Sequence, residues 1–404
     1  MSEEKRKLRI LVVKANDGGC AYYRAIMPLE KLQEHYPDEV EVRFDMNPLG
    51  LDTSSGQWLP DWDFENLKWC DIVLMNNISN YGGHYSARCV GKAREFNKFV
   101  HVDNDDLLTN LYDEHILAKT YKEKGLGDIT KFMYNNAHLV TVTQRKFALR
   151  IKEYCGHVLA VVKNAIDYSL PCWNAEVPTR KVLRIGWAGG IHHRPDVKRF
   201  SVVPHIVNQK VGRENIHWDF YGHPPPLKEG EKKDWQWGVW EEYRNVLLKG
   251  FKGPANWGIH YALPPNMYGT MYANMDVAIA PLQMNEFNDS KSDIKVAESG
   301  RYKVPLVGSD VGCYSDTIVN WETGVLLPPD ASKMVWSKTM TKLLKNPKLI
   351  RTMGNNLHEL TEEQFDINKV IGLRLDLYKE CFTSLGWDPR GETPQPEVIH
   401  DKNN

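Results

Sequence analysis

The chain has no long apolar run, no paired-cysteine motif and almost no net charge, and each absence removes a class of function. No stretch approaches the roughly 20 apolar residues that a membrane-spanning helix needs. The opening MSEEKRKLRILVVKAN passes from charges into an apolar run too brief for a signal peptide, so no leader is expected. Peripheral attachment through an amphipathic face stays open. Seven cysteines, at 20, 70, 89, 155, 172, 313 and 381, are scattered and odd in number without a CxxC pair. That argues against a disulfide framework and a zinc site, and favours a reducing cytoplasm. Lys plus Arg (51) and Asp plus Glu (52) nearly cancel to a formal charge of −1, so nucleic acid or anionic lipid would have to be met by a local patch. There is no GxGxxG fingerprint and no repeat at solenoid spacing.

What is present is an ordinary globular composition, 42% hydrophobic over 404 residues, enough for two domains. Short β-branched runs at Leu8–Val13, Glu39–Phe44, Asp71–Met75, Phe99–Val102, Leu139–Thr143 and Leu159–Lys163 alternate with helix-like segments. A second series follows at Leu183–Ala188, Ile216–Tyr221, Ile259–Ala262, Val277–Ala280, Pro305–Gly308 and Val325–Leu327. This rhythm predicts βα units and two doubly wound α/β domains facing a central cleft, with the boundary in Ser169 to Lys181. We expect domains at 1–170 and 181–365, a helical segment at 366–388 and a frayed tail at 389–404, rich in Pro, Glu, Asp and Asn. Ala331–Leu344, Pro347–Leu360 and Ile367–Leu385 carry apolar residues at helical spacing or look like exposed helices.

The most informative segment is Phe287 to Glu298, FNDSKSDIKVAE, followed by SGRYKVPLVGSDVG. Ser290, Ser292 and Asp293 suit a helix N-cap or first turn, which predicts unpaired N–H groups facing a phosphate. Lys291 and Lys295 add positive charge. Glu298, seven residues after Lys291, is expected on the same helix face, where a carboxylate accepts hydrogen bonds from ribose hydroxyls.

With Pro281-Leu282 before it and Pro305 to Asp310 after it, this segment resembles the donor-binding signature of retaining glycosyltransferases of the GT-B fold, most like glycosyltransferase family 4. That signature has two glutamates eight positions apart; Glu298 matches the second, and Ser290 stands at the first. Bacterial and bacteriophage relatives carry the form FNxxKSxxKxxE, which this chain follows. The resemblance implies two Rossmann-like domains, a C-terminal helix crossing back to the first, a nucleotide diphosphate sugar as donor, and no required cofactor.

Other candidates carry two readings each. Asn16 to Arg24 (NDGGCAYYR) follows the first strand; Gly18 and Gly19 permit a phosphate or acceptor loop or a plain βα turn, and Arg24 an anion contact or a solvated helix face. His101-Val102-Asp103-Asn104-Asp105-Asp106 ends the fourth strand, where open α/β sheets place chemistry. A metal reading of this DxD-like string is set aside, since metal-dependent transferases of that type have another fold; a solvated turn is the alternative. In the resembling family the loop faces the donor sugar, which gives His101 or Asp103 a catalytic role. Gly189-Gly190-Ile191-His192-His193-Arg194 is a second strand-to-glycine loop suited to phosphate contact and, without a completing ligand set, unsuited to zinc. Tyr221 is expected near the nucleotide base or in the core. Trp235, Trp237, Trp240 and Trp257, beside Lys228, Lys232, Lys233, Arg244, Lys249 and Lys252, either stack on nucleic-acid bases or line an interior behind a lysine rim.

Together these readings predict transfer of a hexose or pentose from a nucleotide diphosphate sugar to a hydroxyl. A hydroxymethylated pyrimidine in double-stranded phage DNA is one acceptor, reached by base flipping in a host cytoplasm. A cell-surface glycan or lipid-linked sugar is another. A non-catalytic nucleotide-binding protein and a sugar-phosphate epimerase of the same fold are the rivals; the oligomeric state is left undefined.

Overall fold

The computed structural model describes residues 6–251 and 256–389; Lys252 and most of the expected tail, 390–404, lie outside the described residues. Two compact units emerge. The first comprises described residues 6–111, 119–165 and 367–389, the second residues 112–118 and 166–366.

The first unit holds six parallel strands: β1 Leu8–Lys14, β2 Val40–Phe44, β3 Ile72–Asn76, β4 Phe99–Asn104, β5 Leu139–Val142 and β6 Val158–Val161. Their order is β2-β1-β3-β4-β5-β6. All residues of β3, β4 and β5 are buried, as expected for a parallel sheet covered on both faces. Because the chain moves from β1 to β2 and then returns to the other side of β1, the order reverses between β1 and β3. In open α/β sheets ligands bind outside the carboxyl ends at such a reversal.

The second unit repeats the plan with β7 Leu183–Ala188, β8 Ile216–His223, β9 Trp257–Tyr261, β10 Val277–Ala280, β11 Leu306–Ser309 and β12 Gly324–Leu327. The order β12-β11-β10-β7-β8-β9 places the reversal between β7 and β10. One sheet face is closed by an aromatic-rich core that includes Trp187, Phe200, Trp218, Phe220, Trp240, Tyr243 and Trp336. Trp218 is fully buried and its indole N–H donates to Asn208 Oδ1 at 2.9 Å, so the large ring brings no unsatisfied polar group inside.

Local chemistry explains the helix starts. Asp234 accepts from the Gln236 N–H at 3.0 Å and begins the helix Trp235–Leu247; Ser332 accepts from Val335 N–H and begins Lys333–Leu344. Asn346 caps Pro347–Phe365, with Pro347 at a first-turn position where a missing N–H costs nothing. The expected single stretch from 367 to 385 is two helices, Ile367–Val370 and Gly372–Leu385, the latter ended by Gly386 in the left-handed conformation.

The chain passes between units at 165/166, ahead of the proline-interrupted stretch singled out in the sequence. The Ile166 N–H donates to the Phe365 carbonyl at 2.7 Å, which draws residue 166 onward into the second unit. The terminal helix Gly372–Leu385 belongs to the first unit, where Phe382 meets the Phe99 ring edge-to-face at 5.1 Å.

Candidate functional site

The carboxyl ends of β7 and β10 carry most of the residues expected to hold a donor. After β7 the chain enters Gly189 and Gly190, then a single helical turn Ile191–His193 and the helix Arg194–Arg199. Gly222 comes close enough to this loop that a Cβ there would lie 2.1 Å from the Gly189 carbonyl, and its φ of +127° also excludes ordinary side chains.

Asp196, 1% exposed, ties the two loops together. One carboxylate oxygen accepts from the Gln283 N–H after β10 at 2.7 Å and from the Asn288 amide at 2.9 Å; the other receives His193 Nδ1–H at 2.8 Å. Sequence reasoning missed Asp196. Its signal was weak: an acidic residue one helical turn after His193, beside a first-turn proline.

Beyond β10, Asn285 caps the short helix Glu286–Asp289, and the helix Ile294–Arg301 follows after a loop. Three expectations need correction. Ser290 is fully buried at the end of the first helix, with its hydroxyl donating to the Glu286 carbonyl at 2.7 Å, so it does not line a helix N-terminus. Asp293 occupies the N-cap position, but its carboxylate accepts from the Thr317 hydroxyl at 2.6 Å and does not cap the helix. Lys291 and Ser292 precede the helix, so seven-residue spacing does not put Lys291 on one helix face with Glu298; Lys291 lies over the Phe287 ring at 4.4 Å.

Lys295 sits in the first turn, its ammonium donating to the Ala188 carbonyl at the end of β7 at 2.5 Å. Burial lowers its pKa, against the opposing pull of Glu298 and with Lys291 adding to the depression. Glu298 is 5% exposed and accepts from the Tyr272 hydroxyl at 2.7 Å. Burial and the neighbouring Glu298 charge push the Tyr272 hydroxyl far up, so it stays a hydrogen-bond donor. His193 is held below the ordinary imidazole range by burial first, with Lys295 and Lys291 contributing; the Asp196 hydrogen bond works the other way. His193, Lys291, Lys295 and Glu298 are thus electrostatic neighbours around the end of β7.

Arg194, His192 and Tyr221, also expected at the donor, each make contacts within the protein. Arg194, expected to meet phosphate, places its Nε 2.7 Å from Glu242 on the helix Trp235–Leu247. His192 stacks on His115 with centroids 5.4 Å apart, and His115 packs on Phe287 at 4.7 Å. Tyr221 is 7% exposed and stacks on His260 at 4.4 Å. Trp240 belongs to the core and Trp257 packs against it, while Trp235 is 54% exposed. The interior reading of the tryptophan cluster therefore holds for those two rings, and the alternative reading as a stacking surface loses them.

In the first unit, Gly18 is exposed at the start of a helix and its N–H donates to Asn16 Oδ1 at 2.7 Å; Gly19 is the first residue of that helix. Arg24 lies in a π-helical turn, Tyr22–Ile26, and is not on a solvated face. Its Nε and Nη2 donate to the two Asp103 carboxylate oxygens at 2.8 and 2.7 Å, and Nη1 donates to Val162 O and Asn164 Oδ1. The Thr141 hydroxyl donates to Asp103 at 2.5 Å, which leaves its oxygen to accept from His101 Nε2–H at 2.7 Å and His101 Nδ1 to accept from Tyr378 OH at 2.8 Å. His101 and Asp103 are 1% and 0% exposed. Their polar atoms are engaged by protein, so the catalytic contact with substrate expected for both is replaced by a buried network. Alternation along β4 sends them to the same side, as the sequence implied, but that side is covered.

The DxD-like string divides at this point. Asp105 and Asp106 join Cys20, with ligand atoms within 4.8 Å of one another, which is a geometry able to hold a cation. Burial and the Asp106 charge raise the Asp105 pKa.

Residues 254–359 match the family described as glycosyl transferases group 1. No curated protein matches in sequence. Among solved structures, the chain is similar to sucrose-phosphate synthase from Thermosynechococcus elongatus, at 14% identity and TM-score 0.65, covering 94% of this chain and 100% of that one. It is also similar to HepE from Anabaena in complex with UDP and glucose (10%, TM-score 0.60, 93% and 100% covered) and to a glycosyltransferase from Rickettsia africae (13%, TM-score 0.58, 93% and 99%). Two six-stranded parallel sheets with these neighbours define a GT-B fold of two Rossmann-like units. No helix among the described residues is long and apolar enough to cross a membrane.

Proposed function

We propose that the protein is a retaining glycosyltransferase that moves a sugar from a nucleotide diphosphate sugar to a hydroxyl acceptor. The observation that carries this reading is the convergence of His193, Lys291, Lys295 and Glu298 at the β7/β10 reversal, inside or next to the segment matched by the group 1 glycosyltransferase family. Lys291 and Lys295 neutralise the leaving diphosphate, and the glycine loop after β7 lets it approach the backbone. Glu298, steadied by Tyr272, receives the ribose hydroxyls through its remaining lone pairs.

In the reaction the bond from the anomeric carbon to the diphosphate oxygen breaks, and a bond to the acceptor oxygen forms on the same face. The acceptor proton passes to the departing diphosphate. Arg24, His101 and Asp103 are assigned no contact with the reacting atoms. Gly18 and Gly19 remain the loop offered to acceptor or phosphate by the first unit.

The test is mass-spectrometric: purified protein is incubated with a panel of nucleotide sugars and with glycan, lipid-linked and hydroxymethylated-DNA acceptors. A sugar-sized mass gain identifies donor and acceptor together, and NMR of the product reads the anomeric configuration. Tight nucleotide binding with neither transfer nor donor hydrolysis would move the reading to a binding protein. DNA is one acceptor among several, since burial of Trp240 weakens the stacking argument that favoured it.

A further inference from the structure

We propose that His193 takes up a proton when a diphosphate binds beside it, and that Asp196 is the positioning residue that holds the resulting imidazolium. This rests on the donor-site reading above. His193 Nδ1–H donates to Asp196 at 2.8 Å, and its Nε2 has no hydrogen-bond partner among the described residues. The neutral ring therefore presents a lone pair at Nε2. A phosphate oxygen also presents lone pairs, so contact with it needs a proton on Nε2.

The groups around His193 come from every neighbouring element. Asp196 faces it from the helix Arg194–Arg199, Lys295 from Ile294–Arg301 and Lys291 from the preceding loop; Glu298 acts on Lys295. From β7, Trp187 offers an uncharged ring at 6.2 Å. From the helix Trp235–Leu247, Tyr243 donates its hydroxyl to the Ile191 carbonyl at 2.8 Å and, with its pKa raised by burial, stays neutral. Without a ligand, burial first and then the two lysines disfavour a further positive charge, against the pull of the Asp196 carboxylate. A diphosphate reverses that balance: its negative charges offset Lys291 and Lys295, and the Asp196 carboxylate already sits on the opposite ring nitrogen. Binding then couples to proton uptake from solvent, with no bond broken other than the O–H that supplies the proton.

Calorimetry on the full chain tests this with UDP-glucose, ADP-glucose and GDP-mannose as probes. Their diphosphates are diesters and lack the second phosphate ionisation near pH ~6. Titrations at about pH 7.5 in buffers of different ionisation enthalpy should show uptake of up to about one proton. The Kd should weaken by up to about tenfold per pH unit over a range above the free His193 pKa. His193→Gln and Asp196→Asn should flatten that dependence, because glutamine cannot titrate and the asparagine amide, donating to Nδ1, fixes the other tautomer. Binding of a probe with zero uptake and a pH-independent Kd overturns the proposal, as does full uptake in His193→Gln. If the variants fail to fold, the wild-type proton count decides. No heat with any probe overturns the donor-site reading itself, an outcome distinct from binding without a proton.

Discussion

Arg24 and Asp103 form a bidentate ion pair, Nε and Nη2 to the two carboxylate oxygens at 2.8 and 2.7 Å, with no exposed surface on either side chain. Arg374 stands 3.8 Å from the same carboxylate. Removing one member of a buried pair leaves the other charge uncompensated. Arg24→Leu should therefore destabilise the first unit by about 3–5 kcal/mol, read as a fall in its urea midpoint. A change below about 1 kcal/mol would show that water reaches the pair.

Two buried histidines of the first unit, His101 inside this network and His138 outside it, make the fold acid-sensitive. Burial pushes His101 down to about 3, against the raising effect of Asp103, and His138 down to about 3, with Arg94 and His157 adding to the burial effect. An unfolded histidine binds its proton near pH ~6.5, so the unfolded state holds more protons between there and the folded value. Stability is present above that window and falls with pH inside it, by up to about 1.4 kcal/mol per unit for each histidine. Asp103, whose pKa is lowered by Arg24 and Arg374 despite burial, loses its contribution in acid as well. Thermal melting from neutral pH down to about pH 4 should show this slope, and His138→Gln should make it shallower.

Gly222 supports the loop after β7. Gly222→Ala places a methyl group 2.1 Å from the Gly189 carbonyl at a φ of +127°. The variant should lose about 1–3 kcal/mol of stability and bind nucleotide sugar more weakly. Unchanged binding in calorimetry would detach this loop from the donor site.

Glu298 and Tyr272 separate two roles. Glu298→Ala should raise the donor KM by one to two orders of magnitude, about 1.4–3 kcal/mol, with a smaller effect on kcat. Tyr272→Phe removes one hydrogen bond and should cost only about 1–3 kcal/mol, shared between stability and KM. Donor affinity unchanged by Glu298→Ala would remove that carboxylate from the site.

Much of the fold is legible along the chain because parallel strands buried on both faces form continuous β-branched runs. Leu183–Ala188 and Val277–Ala280 fall where the sequence puts them, and the other strands shift by small amounts at their ends. The shift at β9, which begins at Trp257 and not Ile259, follows its pairing with Trp218 on β8, a partner absent from local sequence. The Phe287 to Glu298 segment likewise reveals its lysines and glutamate by composition. It does not reveal that a short helix ends at Ser290 before the next begins.

What sequence alone determined is local: strand and helix types, two α/β series, and a cationic segment followed by a glutamate. Tertiary structure decided which of those groups meet. His101 and Asp103 look like strand-end chemistry until Tyr378, 277 residues downstream of His101, brings the terminal helix over them. Asp196 looks like a helix-start acid until Gln283 and Asn288 fold onto it. Hydrogen bonds and desolvation act over a few ångströms of space, whereas sequence patterns report only the neighbours along one strand or one helical turn.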